Sequence, residues 1–219
     1  MILQWWLDIN KLKPLLGVFH CREIPQFKQA TDKLKIDKLW MKFYPQGEAY
    51  SLARQWFLDH KEYTHFITLP DDLLATQQAI NILSEDSSKA DVIISGWCNN
   101  TAHITNNIYT DFSFTLPPIQ TKEFEPYNFA RIEHVLKYTR DIIPVPFQGI
   151  ALTFLPRAIL EDIPFRTDIP QDLGLAHDLA QKGIPQYIDL RARMIHLRHP
   201  HGILVGKREK EIVFESQAV

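Results

Sequence analysis

The sequence predicts an α/β fold: a single domain with a mostly parallel central sheet and helices on both of its faces. Three observations lead there. Strand-like and helix-like segments alternate through residues 15–98, the strands are apolar runs of buried character, and no repeat, low-complexity tract or long linker interrupts the chain. Apolar strands alternating with helices of this length are the pattern of a parallel sheet covered by its crossover helices. The 219 residues, 45% hydrophobic and 11% aromatic, suffice for a full core in one large domain.

Taken in order, "LLGVFH" (15–20) is a buried strand, and "IPQFKQATDKL" follows as a helix with Ile24, Phe27 and Leu34 at helical spacing. "KLWMKFY" (38–44) is the second strand. In "GEAYSLARQWFLDH" (47–60), Ala49, Ala53 and Phe57 stack at i, i+4 beside Leu52 and Trp56, so this segment is a helix. The strand at 64–69 ends in "PDD", after which Leu73, Ile80 and Leu83 share one face of a helix through "LATQQAINILSE". "ADVIISGWC" (90–98) is a fourth strand.

Residues 99–146 break the rhythm. "TNNIY" predicts a hairpin turn at Asn106–Asn107, the prolines 117, 118, 144 and 146 punctuate the chain, and a helix is expected around "FARIEHVLKYTR". "IALTFLP" (150–156) then reads as a strand and "RAILEDI" as a short helix. Asp168 is the expected N-cap, with Pro170 in the first turn, of a helix carrying Leu175 and Leu179 at i, i+4 and ending at Gly183. "PQYIDL" and "ARMIHL" are read as two short strands. Residues 1–206 then form one domain, with 15–98 as its first half and 99–206 as its second, and the charged tail 207–219 is expected to be loosely held.

Composition excludes several classes. A formal net charge of −2 gives no electrostatic footprint for nucleic acid. The two cysteines, Cys21 and Cys98, are too few for a disulfide framework or a structural zinc site and read as thiols in a reducing compartment, the cytoplasm. "MILQWWLDINKLKPLLG" lacks a basic n-region and is interrupted by Asp8, so it does not read as a signal peptide. No run reaches the ~18 apolar residues of a membrane span. Trp5 and Trp6 leave weak association with a membrane surface open, with core packing as the alternative. The "NNT" sequon at 99–101 carries little weight without an export signal.

Three groups of residues have chemistry to offer. Asp71 and Asp72 follow directly on a buried strand, where the ligand crevice of an α/β sheet lies. Two hard oxygen donors there suit Mg²⁺ or Mn²⁺ bound together with a phosphate; the other reading is that Asp71 caps the next helix and Asp72 favours its dipole. "MIHLRHPHG" clusters His196, His199 and His201, and strand alternation points His196 to the same side as Met194. Asp172 lies in the first turn of its helix, either as a general base or as a favourable dipole partner.

In their order, "GEAYSLARQWF", "THFITLPDDLL", "DVIISGW", "GIALTFLPRAILEDIPF", "QDLGLAHDLAQKG" and "YIDLRARMIHL" resemble the GT-A (Rossmann-like) fold of nucleotide-sugar-dependent glycosyltransferases, particularly family 2-like members. The resemblance covers residues 15–201. Leu69 or Pro70 stands where the usual metal motif begins with Asp, "ED" has become Gln171–Asp172, and the acid that often reads uridine has no counterpart in "MKFYPQGE". The resemblance implies transfer of a sugar from a nucleotide-diphosphate donor to a hydroxyl of a glycan, lipid or protein acceptor, with inversion. It implies Mn²⁺ or Mg²⁺ as cofactor, with Asp71, Asp72 and His196 as ligands, Asp172 as catalytic base, and His20, Cys21, Arg22 and Asp71 as nucleotide contacts. Two rivals stay open: a metal-dependent phosphohydrolase or nucleotidyltransferase using the same acids and histidines, and a non-catalytic nucleotide-sugar-binding protein with a degenerate site.

Overall fold

A computed structural model describes residues 12–90, 92–100, 111–115, 130, 135–136, 138–197 and 208–217. Its first half runs β1 (Pro14–His20), α1 (Pro25–Asp32), β2 (Lys38–Lys42), α2 (Gln46–Asp59), β3 (His65–Pro70), β4 (Leu73–Leu74), α3 (Gln77–Ala90) and β5 (Ile93–Trp97). Short strands follow: β6 (Asn99–Asn100), β7 (Asp111–Phe112), β8 (Phe114–Thr115), β9 (Ile142–Val145) and β10 (Phe147–Gln148). The chain then forms β11 (Thr153–Pro156), α4 (Arg157–Asp162), α5 (Gln171–Gln181), β12 (Gln186–Arg193), β13 (Ile195–His196) and β14 (Glu211–Glu215).

Eight strands form one sheet in the order β14-β2-β1-β3-β11-β5-β12-β9. β2, β1 and β3 are parallel neighbours, as are β5 and β12. β14, β11 and β9 each run antiparallel to the strands beside them. The fold is therefore α/β, but the sheet is mixed, which corrects the expectation of a mostly parallel one. The β3–α3–β5 crossover skips one position, and β11 fills the gap from the opposite direction. All four β11 residues are buried, so their apolar run reads the same in either direction.

Alternation along β1 sets the two faces of the sheet. Leu16 and Val18 join Phe27 of α1 and Ile80 and Leu83 of α3 in one core cluster. Leu15 and Phe19 join Ala53 and Phe57 of α2, Leu160 of α4 and Leu175 and Leu179 of α5 in another. Helices cover both faces, as the pattern predicted. Gly183 has φ +67°, the left-handed conformation that ends α5, and Ile184 N–H donates back to the Leu179 carbonyl in the manner of a glycine-terminated helix.

Several local expectations are revised. Asp168 does not cap α5, whose preceding residue is Pro170; Asp168 instead accepts two hydrogen bonds from the Arg166 guanidinium, at 3.0 and 2.6 Å. Neither Asp71 nor Asp72 caps α3, since β4 intervenes and Thr76 Oγ1 accepts the Ala79 N–H at 3.1 Å. The segment read as two short strands is mainly one, β12, eight residues long. The tail is not loose throughout: β14 pairs with β2 over five registered residues, from Glu211 beside Lys42 to Glu215 beside Lys38. The Asn106–Asn107 turn, Trp5, Trp6, His199, His201 and half of the "FARIEHVLKYTR" segment lie outside the described residues.

Among the described glycines, the closest backbone approach to a missing side chain is at Gly96 in β5, where an added Cβ would lie 2.5 Å from the carbonyl oxygen of Ala192 in β12. Because the obstruction is backbone, relief requires the two strands to part. Gly96→Ala should therefore destabilise the protein by about 2 kcal/mol, lowering Tm by about 4–8 °C. Gly183→Ala meets nothing within 4 Å and costs only its backbone conformation, about 1 kcal/mol. Calorimetric melting of the two variants checks the order; a Gly96→Ala melt at or above that of Gly183→Ala contradicts it.

Candidate functional site

The candidate site lies along one edge of the sheet. Cys21 and Arg22 follow the end of β1, Asp71 and Asp72 the end of β3, and Cys98 the end of β5, while the β12–β13 segment ends at His196. Antiparallel β11 begins at this edge, so Gly149, Ile150 and Ala151 enter from the other direction, and the start of α5 brings Asp172. This is the carboxyl edge of the parallel strands, where backbone termini and loops leave a crevice that packed side chains do not fill.

Asp71 and Asp72 are adjacent but do different things. Asp71 is 3% exposed and turns into the protein. Its Oδ2 accepts the backbone N–H groups of Cys21 at 2.8 Å and Arg22 at 2.6 Å; its Oδ1 accepts Arg22 Nε at 3.0 Å and Nη2 at 2.5 Å. Four donors engage about all the lone pairs a carboxylate offers. The buried charge is thus matched by a cation and two amides, the condition under which burial of an ion is tolerated. Asp72 turns outward. Its Oδ2 lies 3.0 Å from Arg22 Nη2 and 3.6 Å from His196 Nε2. Pairing of Leu73 with His196 and of Leu74 with Ile195, together with donation from Leu197 N–H to the Asp72 carbonyl at 2.6 Å, holds the two segments together. Burial opposes ionisation of Asp72, but the neighbouring His196 and Arg22 outweigh it and hold the carboxyl below the usual range.

Asp72 stands between two cavities. The larger, about 680 Å³, carries Arg22, Arg208 and Lys210 together with Phe43, Tyr44 and Tyr50. The smaller, about 230 Å³, carries Asp72, Asp172 and His196 with Cys98, Ser113 and the Gly149–Ala151 turn. The larger is aromatic and carries three cations beside the carboxylates of Asp71 and Asp72; the smaller carries two carboxylates and a histidine with, among the described residues, no lysine or arginine. Burial pushes the Asp172 carboxyl above the ordinary range, while the Leu173 N–H, 2.9 Å from Oδ1, works against that rise. Asp72 and Asp172 therefore share a cleft with opposite tendencies.

Of the residues singled out in the sequence, Cys21, Arg22, Asp71, Asp72, His196 and Asp172 gather along these two cavities. His20 does not join them. It is 7% exposed, sits among the rings of Phe27, Trp40 and Phe43, and borders a separate cavity. Strand alternation accounts for this, because His20 points to the same face as Leu16 and Val18. Burial raises both thiols to about 11, so neither Cys21 nor Cys98 is a thiolate nucleophile near neutral pH. Sequence reasoning missed Arg208 and Lys210. The alternating "EIVFE" that follows them was the available signal of a strand able to carry them to the sheet edge.

The expected metal set of Asp71, Asp72 and His196 does not fit a divalent ion in this geometry. The Asp71 oxygens already accept four hydrogen bonds, and Asp72 is shared by Arg22 and His196. Among the described residues, no group of three or more His, Cys, Asp or Glu side chains is arranged to hold a metal ion. Among the same residues, no helix is long and apolar enough to cross a membrane.

No protein-family model and no curated protein matches this chain. Among solved structures it is similar to the crystal structure of A197 from STIV, with a TM-score of 0.55 at 14% sequence identity, covering 86% of this chain and 95% of that one. At that identity the likeness is one of fold.

The tie between the ends of β1 and β3 generates a stability prediction. Asp71→Ala removes four accepted hydrogen bonds and strands two backbone N–H groups, so it should cost about 2–4 kcal/mol. Asp72→Ala, at a side chain 28% exposed, should cost less than about 1 kcal/mol. Urea unfolding measures both, and equal losses would show that Asp71 is not the anchor of this edge.

Proposed function

We propose that this protein is a glycosyltransferase that moves a sugar from a nucleotide-diphosphate donor to an acceptor hydroxyl, with inversion at the anomeric carbon. The observation that carries the reading is the pair of adjoining cavities joined at Asp72. A pocket of about 680 Å³ with three cations and the four rings of Phe19, Phe43, Tyr44 and Tyr50 on its walls, its carboxylates Asp71 and Asp72 both paired with Arg22, suits a nucleoside diphosphate. A smaller cleft of about 230 Å³ with two carboxylates and a histidine suits a sugar and an attacking hydroxyl. The order of elements that resembles the GT-A fold supports the same assignment.

The chemistry follows from the residue types. The acceptor oxygen attacks the anomeric carbon and the new C–O bond forms as the bond to the diphosphate oxygen breaks. That oxygen leaves with the electron pair, and the acceptor proton passes to Asp172. A buried carboxylate of raised basicity is suited to take it, a role typically contributing 10²–10⁴-fold. Asp72, held ionised, and His196 line the same cleft and orient sugar hydroxyls. The thiols, protonated near neutral pH, take no part in proton transfer.

Asp172→Asn should lower kcat by two or more decades while leaving donor affinity nearly intact, the signature of a group acting in the transition state. The acid limb of the wild-type kcat profile reports protonation of this base. Since its affinity for protons is raised, kcat should fall at pH values above those at which an ordinary aspartate titrates. Release of nucleoside diphosphate from a panel of nucleotide-sugars measures turnover, and proton NMR of the product reads the anomer. A product with the donor's own configuration, or near-normal turnover of Asp172→Asn, would overturn the assignment of Asp172.

A further inference from the structure

We infer that the cations facing the donor's diphosphate are the protein's own Arg22, Arg208 and Lys210, and that a divalent ion is not required for donor binding. This rests on the glycosyl-transfer reading and concerns how the same site holds its donor. The first observation is the state of Asp71. A carboxylate whose two oxygens accept Cys21 N–H, Arg22 N–H, Arg22 Nε and Arg22 Nη2 has nothing left to offer an ion. What it does instead is fix a guanidinium at the mouth of the cavity. Arg22 remains about one third exposed there, and its Nη1 has no partner within the protein among the described residues.

The second observation is independent and lies at the other end of the chain. Pairing of β14 with β2 places Glu211 beside Lys42, and the residues just before it, Arg208 and Lys210, line the same cavity as Arg22. Each is held from behind. The Arg208 guanidinium pairs with both carboxylate oxygens of Glu23 and lies 5.3 Å from the Phe43 ring centroid. Lys210 Nζ lies 2.6 Å from Glu48 Oε2 and 5.3 Å from the Tyr44 ring centroid. Neither Glu23 nor Glu48 lines the cavity. Their charges fix the two side chains from outside it, and the carboxylates that do line it, Asp71 and Asp72, are both paired with Arg22.

The third observation is strain. Phe43 has φ +61°, which among the described residues no other non-glycine residue shares on the positive side. A residue with a β-carbon adopts that conformation at a cost and keeps it only where its surroundings hold it there. Here the turn brings the Phe43 ring under Arg208 and starts the Phe43–Gln46 wall of the cavity. The C-terminal strand and this strained turn together complete a phosphate-binding wall that the first half of the chain alone leaves open. During transfer, the oxygen that leaves with the electron pair receives hydrogen bonds from these N–H groups, and no external reductant, oxidant or metal enters the balance.

The test is binding of uridine and guanosine diphosphates by titration calorimetry to the full chain, in EDTA and in excess Mn²⁺. The expected result is an affinity in EDTA within about threefold of that in Mn²⁺ for whichever nucleotide binds, and roughly a tenfold or greater loss in Arg208→Ala and in Lys210→Ala. These two are the primary variants because their loss leaves no buried charge. The double variant Arg22→Gln/Asp71→Asn removes the third cation without stranding Asp71, and should lose a comparable factor. Binding abolished by EDTA and restored by Mn²⁺ would overturn this inference while leaving the glycosyl-transfer reading in place. No binding of either diphosphate, or of their sugars, under both conditions would overturn that reading itself. Wild-type affinity in both single variants would show that the C-terminal strand does not touch the donor.

Discussion

The carboxylate of Asp71 is the point on which the edge of this sheet depends. Two parallel strands, β1 and β3, end side by side, and the half-buried backbone amides beyond β1 would otherwise lack these partners. Asp71 accepts both and draws the Arg22 guanidinium in with them. The bond is between neighbouring strand ends that are 50 residues apart in sequence, so it joins two crossover units rather than one local turn. It also fixes the direction of the next residue. With Asp71 turned inward, Asp72 is turned outward between the cavities, and its distances to Arg22 and His196 follow from that reversal.

The mixed sheet serves the same edge. A wholly parallel sheet would present only strand ends and the loops that leave them. Antiparallel β11 presents a strand beginning, and the Gly149–Ala151 turn that leads into it lines the smaller cleft together with Asp172. Thr68, Ser95 and Thr153 lie at the centre of this insertion, fully buried, and satisfy one another: Ser95 and Thr153 hydroxyls are 3.0 Å apart, and Thr68 hydroxyl accepts Thr153 N–H at 3.3 Å. Polar side chains in the middle of an apolar sheet are acceptable there because each has a partner.

How much of this could be read from residues alone is decided by range. Helix spacing in "GEAYSLARQWFLDH" and the glycine after Gln181–Lys182 are local signals, and both elements stand where they predict. The direction of β11 is not local. Fifty-odd residues separate it from β5, long enough for either a hairpin return or a crossover, so an apolar run of that composition carries no sense of direction. Asp71 and Asp72 were legible as a pair at a strand end. Their division of labour was not, because it depends on Arg22, whose approach needs β1 and β3 to be neighbours. The tail failed for a related reason: Arg208 and Lys210 look like solvated charges until β14 finds an edge strand with which to pair.

The two carboxylates of the smaller cleft differ by what lies beside them rather than by chemistry. Asp72 has Arg22 and His196 near it, and their charge and hydrogen-bonding capacity outweigh its burial. Asp172 has only the amides at the start of α5, and burial prevails. Two acids with opposed proton affinities in one cleft is the arrangement that lets one stay ionised while the other exchanges a proton. Under the proposed transfer, the sign of each departure fits its part: a permanently charged Asp72 can hold hydroxyls throughout turnover, and a more basic Asp172 can accept a proton from an alcohol as the bond to carbon forms. Exchanging the roles would ask the weaker base, already engaged by a guanidinium, to take up a proton at the expense of that contact. Under that proposal the asymmetry favours the carboxylate on α5 as the base, and it rests on the burial of Asp172 as much as on the positions of Arg22 and His196.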